Sequence, residues 1–184
     1  MKIISWNINW IHKNINKNQN RIEENEKRVK VAIDIIQEFN PDILSLLEAG
    51  ISESPEIEGY NKICLDRKYI YNGYKNGIVV YIKNDYKYRI DEDVLKEIKA
   101  KNVGCFLPIT IYKYNEFFNC FFVWTTVKNR ENGQYVPYGY NRIKEILELE
   151  KTVEFLNAKE KNVIFIGDFN LVSNHKNSQN KQEI

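Results

Sequence analysis

The chain has 184 residues, 43% of them apolar and 13% aromatic, which is enough to bury one sizeable core and too short for two ordinary domains. Its 27 Lys and Arg residues nearly balance its 25 Asp and Glu residues, and the net charge of +2 excludes capture of a polyanion by a global field, so only a local patch could hold one. Three cysteines without metal-ligand spacing, and no signal-peptide core or membrane-length apolar run, predict a reduced, cytoplasmic protein with no membrane partner.

The first third of the chain reads as a strand, a helix and a second strand. Residues 2 to 8 are rich in β-branched and aromatic side chains and predict a strand. Apolar residues at three- and four-residue spacing then predict an amphipathic helix over residues 21 to 39, which Pro41 ends. The apolar run 43 to 47 predicts a strand covered on both faces that brings Glu48 to its C-terminal end.

The remainder predicts further strands and two more helices. Strands are predicted over residues 77 to 83, 106 to 112, 117 to 124 and 162 to 166, the middle two forming a hairpin across residues 113 to 116. Helices are predicted over residues 91 to 100 and 140 to 156. One domain over residues 1 to 172 and a polar, mobile tail over 173 to 184 follow. Helix and strand alternation at both ends indicates an α/β (α+β) mixed-sheet fold with helices outside.

Polar side chains stand at the ends of three of these strands. Gly167 allows a sharp turn that places Asp168 and Asn170 at the C-terminal end of a buried strand. There the two side chains can hold a water molecule and a phosphate oxygen. Glu48 is a hard oxygen ligand of the kind that Mg²⁺ or Mn²⁺ prefers, and Asn7 can add a neutral oxygen. Taken alone, each of these residues is also an ordinary turn or capping residue.

Three stretches carry a resemblance to a known family. Residues 1 to 9 (MKIISWNIN), 41 to 48 (PDILSLLE) and 163 to 170 (VIFIGDFN) closely resemble three motifs of exonuclease III-like enzymes, in the same order. These enzymes belong to the endonuclease/exonuclease/phosphatase superfamily. The resemblance implies a four-layer αββα sandwich of two mixed sheets with outer helices, which hydrolyses phosphodiesters or phosphomonoesters with Mg²⁺ or Mn²⁺.

By motif position, the resemblance implies a role for each strand-end residue. Glu48 would bind the metal and Asn7 would support it. Asp168 would orient or deprotonate the attacking water, and Asn170 would bind the phosphate. A metal that neutralises charge developing on phosphate oxygens, beside a carboxylate that positions an in-line water, agrees with this assignment.

Substrate contacts are expected from three further residues. Asn129 and Lys128 follow a strand predicted to run from residue 121 to 127, and they would contact phosphate and add charge. Tyr74 stands one step further from the strand at Gly77 than the tyrosine or histidine that family members usually carry there. A second departure is Leu47, in the place of a glutamine that usually precedes the metal-binding glutamate.

The family's final Ser-Asp-His-type motif has no counterpart, since the histidines are His12 and His175. The three matching motifs predict a metal-dependent nuclease acting on DNA or RNA, and the missing motif leaves two alternatives open. One is a catalytically impaired or truncated member that binds nucleic acid or another phosphate ligand. Its sandwich would be incomplete on the C-terminal side, and a homodimer or a completing segment would cover the unpaired strand edge. The other is a phosphatase acting on nucleotides or phosphoinositides.

Overall fold

The structure is a computed structural model that describes residues 1–8, 19–66, 76–101, 105–124, 130–131, 134–135 and 163–169. Its helices are α1 (Gln19–Phe39) and α2 (Glu92–Lys101). Its strands are β1 (Ile3–Asn7), β2 (Ile43–Gly50), β3 (Tyr60–Asp66), β4 (Asn76–Lys83), β5 (Lys87–Ile90), β6 (Cys105–Lys113), β7 (Glu116–Trp124), β8 (Arg130–Glu131), β9 (Gln134–Tyr135) and β10 (Val163–Asp168).

The longer strands form two mixed sheets of four. The first sheet has the order β1-β2-β4-β3, with β1 parallel to β2 and the other neighbours antiparallel. The second has the order β10-β7-β6-β5, with β10 parallel to β7 and the rest antiparallel. Strands β8 and β9 pair with each other. The predicted mixed-sheet class is therefore confirmed.

Two sheets and two helices make four layers. Apolar side chains of both sheets fill the space between them: Ile43, Leu47, Ile63, Leu65, Ile78, Val80 and Ile82 from the first, and Leu107, Ile109, Ile111, Cys120, Phe122 and Trp124 from the second. On the outer face of the first sheet, Ala32 and Ile36 of α1 pack against alternate β2 residues, Leu44 and Leu46. On the outer face of the second, Val94 of α2 packs in one cluster with Phe106 and Phe121. The αββα sandwich is confirmed.

Helix α1 and strand β2 follow the sequence pattern closely. Asn40 ends the helix in a left-handed conformation (φ 43°), its N–H donating to the Ile36 carbonyl oxygen at 2.8 Å. Pro41 comes next, and β2 starts at Ile43. Residues 43 to 47 are all buried, as a strand covered on both faces requires. The strand then continues two residues past Glu48, to Gly50.

The predicted hairpin is confirmed, with Tyr112 opposite Phe117 and a two-residue connection. The short helix is also present, as α2. Four of the described strands escaped prediction: β3, β5 and the two-residue strands β8 and β9. The helix predicted over residues 140 to 156 and the tail 173–184 lie outside the described residues, so the domain boundary stays a prediction.

Strands β1 and β10, which end at Asn7 and Asp168, lie at sheet edges in the described structure. Among the described residues, β1 pairs only with β2, and β10 only with β7. Association of two copies through such an edge stays a prediction. No helix in the described part of the chain is long and apolar enough to cross a membrane.

Candidate active site

Three polar side chains from both sheets meet at one end of the sandwich. Asn7 ends β1, Asp168 ends β10, and Glu48 lies near the end of β2. The Asn7 amide nitrogen Nδ2 donates to Asp168 Oδ2 at 2.8 Å and lies 3.3 Å from Glu48 Oε1. All three residues are half-buried. The amide therefore lies between two carboxylates and lessens their mutual repulsion.

A bulge in β2 turns Glu48 toward its partners. Leu47 pairs with Ile78 and Ala49 pairs with Gly77, so Glu48 is an extra residue that has no paired residue on β4. It has a left-handed backbone (φ 53°), which is costly for a residue with a side chain. Leu47 belongs to the core between the sheets, whereas Ala49 belongs to the outer core under α1. In a regular strand Glu48 would point to the α1 side, so the bulge is what allows it to meet Asn7.

Glycine is required immediately before Asp168. Gly167 has φ 152°, a conformation that side chains disfavour, and a Cβ there would overlap the carbonyl oxygen of Val123 on β7. The next residue, Asp168, pairs with Trp124 at the end of β7. The close approach of β10 to β7 at Gly167 thus fixes the position of the Asp168 carboxylate at the end of β10.

Apolar side chains lie directly beneath these polar groups. Leu47, opposite Asn7 in the β1-β2 register, is 1% exposed, and Trp124, opposite Asp168, is 3% exposed. Leu47 stands where the resemblance expects a glutamine, and it contributes to the core rather than to the polar cluster. Hydrogen bonds next to such buried apolar side chains are stronger than in bulk water because the local dielectric constant is lower.

A model of the endonuclease/exonuclease/phosphatase family matches residues 4–184. The chain belongs to this family. Its members are hydrolases and generally use divalent metals. The resemblance noted in the sequence is thereby confirmed. No curated protein matches the chain in sequence.

Solved structures share the family fold at low identity. The human Nocturnin catalytic domain with bound sulfate has a TM-score of 0.60 at 17% identity, over 94% of this chain and 64% of that one. Sphingomyelinase C from Streptomyces griseocarneus has 0.53 at 12%, over 92% and 64%. An AP endonuclease from Archaeoglobus fulgidus has 0.50 at 16%, over 93% and 58%. The chain therefore spans 58 to 64% of the length of these proteins, less than two thirds.

The donor set suits the kind of metal that the family uses. Carboxylate and amide oxygens are the ligands that Mg²⁺ and Mn²⁺ prefer. Glu48 and Asp168 supply carboxylate oxygens on either side of the Asn7 amide nitrogen. The described residues contain no group of three or more His, Cys, Asp or Glu that could hold a metal. Two carboxylates and an amide leave ligand positions for water or phosphate, as is usual for Mg²⁺.

Several predicted site residues lie outside the described residues. They are Asn170, Asn129, Lys128 and Tyr74, together with both histidines, His12 and His175. Their roles stay predictions. Sequence reasoning missed Arg28 of α1, whose guanidinium Nη1 donates to the carbonyl oxygen of Ile8 at 3.0 Å. The available signal was its place four residues before Ala32, on the helix stripe that faces the sheet.

Proposed function

We propose that this site hydrolyses phosphodiester bonds with Mg²⁺ or Mn²⁺, and that its substrate is DNA or RNA. The observation that carries the proposal is the meeting of Asn7, Glu48 and Asp168 across the two sheets. Each comes from one of the three motif stretches, and Asn7 and Asp168 are 161 residues apart in the chain. Two carboxylates at neighbouring half-buried positions repel each other and destabilise the fold. Such a cost is typical of functional sites, so the pairing of Glu48 and Asp168 supports a functional role.

In this proposal each side chain has one task. Glu48 and the amide oxygen of Asn7 would hold the metal, and Asp168 would orient or deprotonate the attacking water. Asn170 contacts the phosphate. A metal held there would supply positive charge that offsets negative charge on the phosphate oxygens. The Asn7 amide also fixes the Asp168 carboxylate by donating to one of its oxygens, which keeps it aligned before substrate arrives.

Nucleic acid is favoured as substrate by the exonuclease III-like motif at the start of the chain and by structural neighbours that are endonucleases by name. A sphingomyelinase among the neighbours makes a lipid phosphodiester the competing substrate class. With a net charge of only +2, bulk charge does not decide between them.

The test uses the purified chain with a labelled DNA duplex, single-stranded DNA, an RNA oligonucleotide, sphingomyelin vesicles, bis(p-nitrophenyl) phosphate and p-nitrophenyl phosphate. Each is assayed with Mg²⁺, Mn²⁺ or EDTA. Cleavage of a nucleic acid that needs the metal is expected. Asp168→Asn should lower the rate on the order of 10²- to 10⁴-fold, the usual contribution of a positioned acid or base. Glu48→Gln should lower the rate by weakening metal binding, and it should raise the metal concentration needed for half-maximal activity.

Asp34→Asn is the matched control, since Asp34 is a carboxylate on α1 that pairs with Lys30 at 2.8 Å and lies outside the site. Turnover that persists in EDTA would contradict the proposal. Tight nucleic-acid binding without turnover would instead favour the binding-module alternative, and cleavage of only the monoester would favour a phosphatase.

A further inference from the structure

Arg28 lies on the side of α1 that faces the first sheet. It precedes Ala32 and Ile36 at four-residue intervals, and these two residues are 3% and 7% exposed in the core under the helix. An arginine on this stripe is unusual, because burying a charged group is costly unless it is hydrogen-bonded. Its guanidinium meets that requirement with a 3.0 Å hydrogen bond from Nη1 to the Ile8 carbonyl oxygen.

Ile8 is the backbone unit that connects the site-bearing ends of β1 and β2. It directly follows Asn7, and it is 3% exposed. Its N–H donates to the carbonyl oxygen of Leu47 at 3.0 Å, one residue before Glu48. Strand β1 has already ended at Asn7, so the Ile8 carbonyl accepts from a side chain, Arg28, where a strand residue would accept from a neighbouring strand.

Both hydrogen-bonding groups of Ile8 are therefore anchored, one to β2 and one to α1. The second anchor keeps the end of β1 against the helix, and the Asn7 side chain depends on the position of that end. A shift of about 1 Å there would lengthen the 2.8 Å contact between Asn7 and Asp168 and the 3.3 Å separation from Glu48. Hydrogen bonds weaken steeply over such a distance.

We propose that Arg28 is a positioning residue of the site, which acts through the Ile8 carbonyl to hold Asn7 between Glu48 and Asp168. The structural part of this proposal is independent of activity. Its kinetic consequence rests on the proposed phosphodiesterase function. Arginine suits the task because its guanidinium stays charged and presents its donors in a rigid plane, whereas a lysine head is a flexible point charge.

The test compares Arg28→Met and Arg28→Lys with the matched control Lys30→Met. Lys30 is a cation of the same helix, but its side chain is 73% exposed and pairs with Asp34. The first measurement is hydrogen exchange of the Ile8 amide by NMR in metal-free protein. We expect about tenfold or faster exchange in Arg28→Met, the equilibrium change that corresponds to losing one hydrogen bond to a charged group. Arg28→Lys should lie between Arg28→Met and the wild type.

The amides of Ile109 and Cys120, in the middle of β6 and β7, report on the fold as a whole and should keep wild-type exchange. The second measurement is the kinetics on whichever substrate the wild type cleaves. In Arg28→Met, kcat should fall about tenfold or more with KM nearly unchanged, because an interaction that aligns the reacting groups is lost rather than one that binds substrate.

The two proposals fail in different ways. A wild type without turnover would sink the proposed function, yet the Ile8 exchange would still decide the role of Arg28. Ile8 exchange in Arg28→Met equal to that in Lys30→Met would overturn the role of Arg28, even in an active enzyme. Equally raised exchange at Ile8, Ile109 and Cys120 would also overturn it, because Arg28 would then support the whole fold.

Discussion

The side-chain amide of Asn7 donates a 2.8 Å hydrogen bond to Asp168 across a separation of 161 residues. Because Asn7 ends a strand of the first sheet and Asp168 a strand of the second, this bond joins the two sheets at the site. The same nitrogen lies 3.3 Å from Glu48. One neutral donor therefore separates two carboxylates at the spot where the proposed metal would bind.

We expect Asn7→Ala to weaken both the fold and metal binding. Without the amide, Glu48 and Asp168 lose a shared donor, which should cost about 1–3 kcal/mol of unfolding free energy in EDTA. A fixed concentration of Mn²⁺ should stabilise the wild type more than the variant, because binding to the folded state stabilises it and the variant lacks one proposed ligand. Urea unfolding with and without Mn²⁺ measures both quantities. Asn61→Ala on β3 is the control, and equal stabilisation of Asn7→Ala and the wild type by Mn²⁺ would contradict the expectation.

Replacing Gly167 with alanine should destabilise the fold much more than replacing Gly59 with alanine. Gly167→Ala adds a Cβ that overlaps the Val123 carbonyl oxygen in a backbone with φ 152°. Strain and overlap each cost on the order of 1–3 kcal/mol, so a loss of about 3 kcal/mol or more is expected. Gly59 also has positive φ (83°), but nothing lies within 4 Å of its added Cβ. Gly59→Ala should cost only about 1–2 kcal/mol, the strain of the left-handed backbone alone.

Denaturant unfolding of both alanine variants gives the comparison, and circular dichroism shows whether each folds. Equal losses for the two variants would mean that β10 can move away from β7 without penalty. In that case the position of Asp168 would not depend on the close approach at Gly167.

The sequence predicted the elements whose residues are strongly patterned. Helix α1 and strand β2 have long apolar stripes or runs, and the residue types of Glu48 and Asp168 marked the site. Strands β3 and β5 were missed because their sequences, YNKICLD and KYRI, alternate charged or polar residues with apolar ones at sheet edges and resemble loops. Edge pairing is decided by the neighbouring strand rather than by local pattern.

The bulge at Glu48 could not be predicted either. A left-handed residue is usually marked by glycine or asparagine, and the sequence around it is Leu47-Glu48-Ala49. Gly77 on the opposite strand gives no sign of the bulge in the sequence, where it marks only the start of β4, although an added Cβ there would overlap the Leu65 carbonyl oxygen. Arg28 was missed for a similar reason, since its partner is a backbone carbonyl and no side-chain pattern reports it.

Two buried hydroxyl groups should respond in opposite ways to removal. Ser45 is 0% exposed, and within the described structure its Oγ has no hydrogen-bond partner. Ser45→Ala removes a buried unsatisfied group and should raise the unfolding free energy by about 1–3 kcal/mol. Thr110 is 5% exposed and donates to Asn119 Oδ1 at 2.9 Å. Thr110→Val removes this hydrogen bond and should lower the unfolding free energy by about 1 kcal/mol.

Urea denaturation of both variants tests this difference, with thermal unfolding as a second measure. A Ser45→Ala variant less stable than the wild type would show that the Ser45 hydroxyl is hydrogen-bonded in solution, most simply to an internal water.

Asp42, at the opposite end of β2 from Glu48, should make stability depend on acid pH. Burial raises the pKa of its carboxyl, but the Lys2 backbone N–H at 2.6 Å, the Tyr86 hydroxyl and the charges of Lys83 and Lys113 together hold that pKa below 3.8. A group whose pKa is lower in the folded state stabilises the fold above its unfolded pKa of about 3.9. That contribution is lost as pH falls through the lower, folded pKa.

We therefore expect Asp42→Asn to be less stable than the wild type at pH 7 and the difference to shrink below about pH 4, where the wild-type carboxyl also becomes neutral. Urea unfolding at pH 7, 5 and 3 measures the difference directly. Asp34→Asn is the control, because its i,i+4 pair with Lys30 is exposed and such pairs contribute only about 0.3–0.5 kcal/mol. A difference for Asp42→Asn that is the same at pH 7 and pH 3 would mean that the side chain acts through shape or neutral hydrogen bonds rather than through its charge.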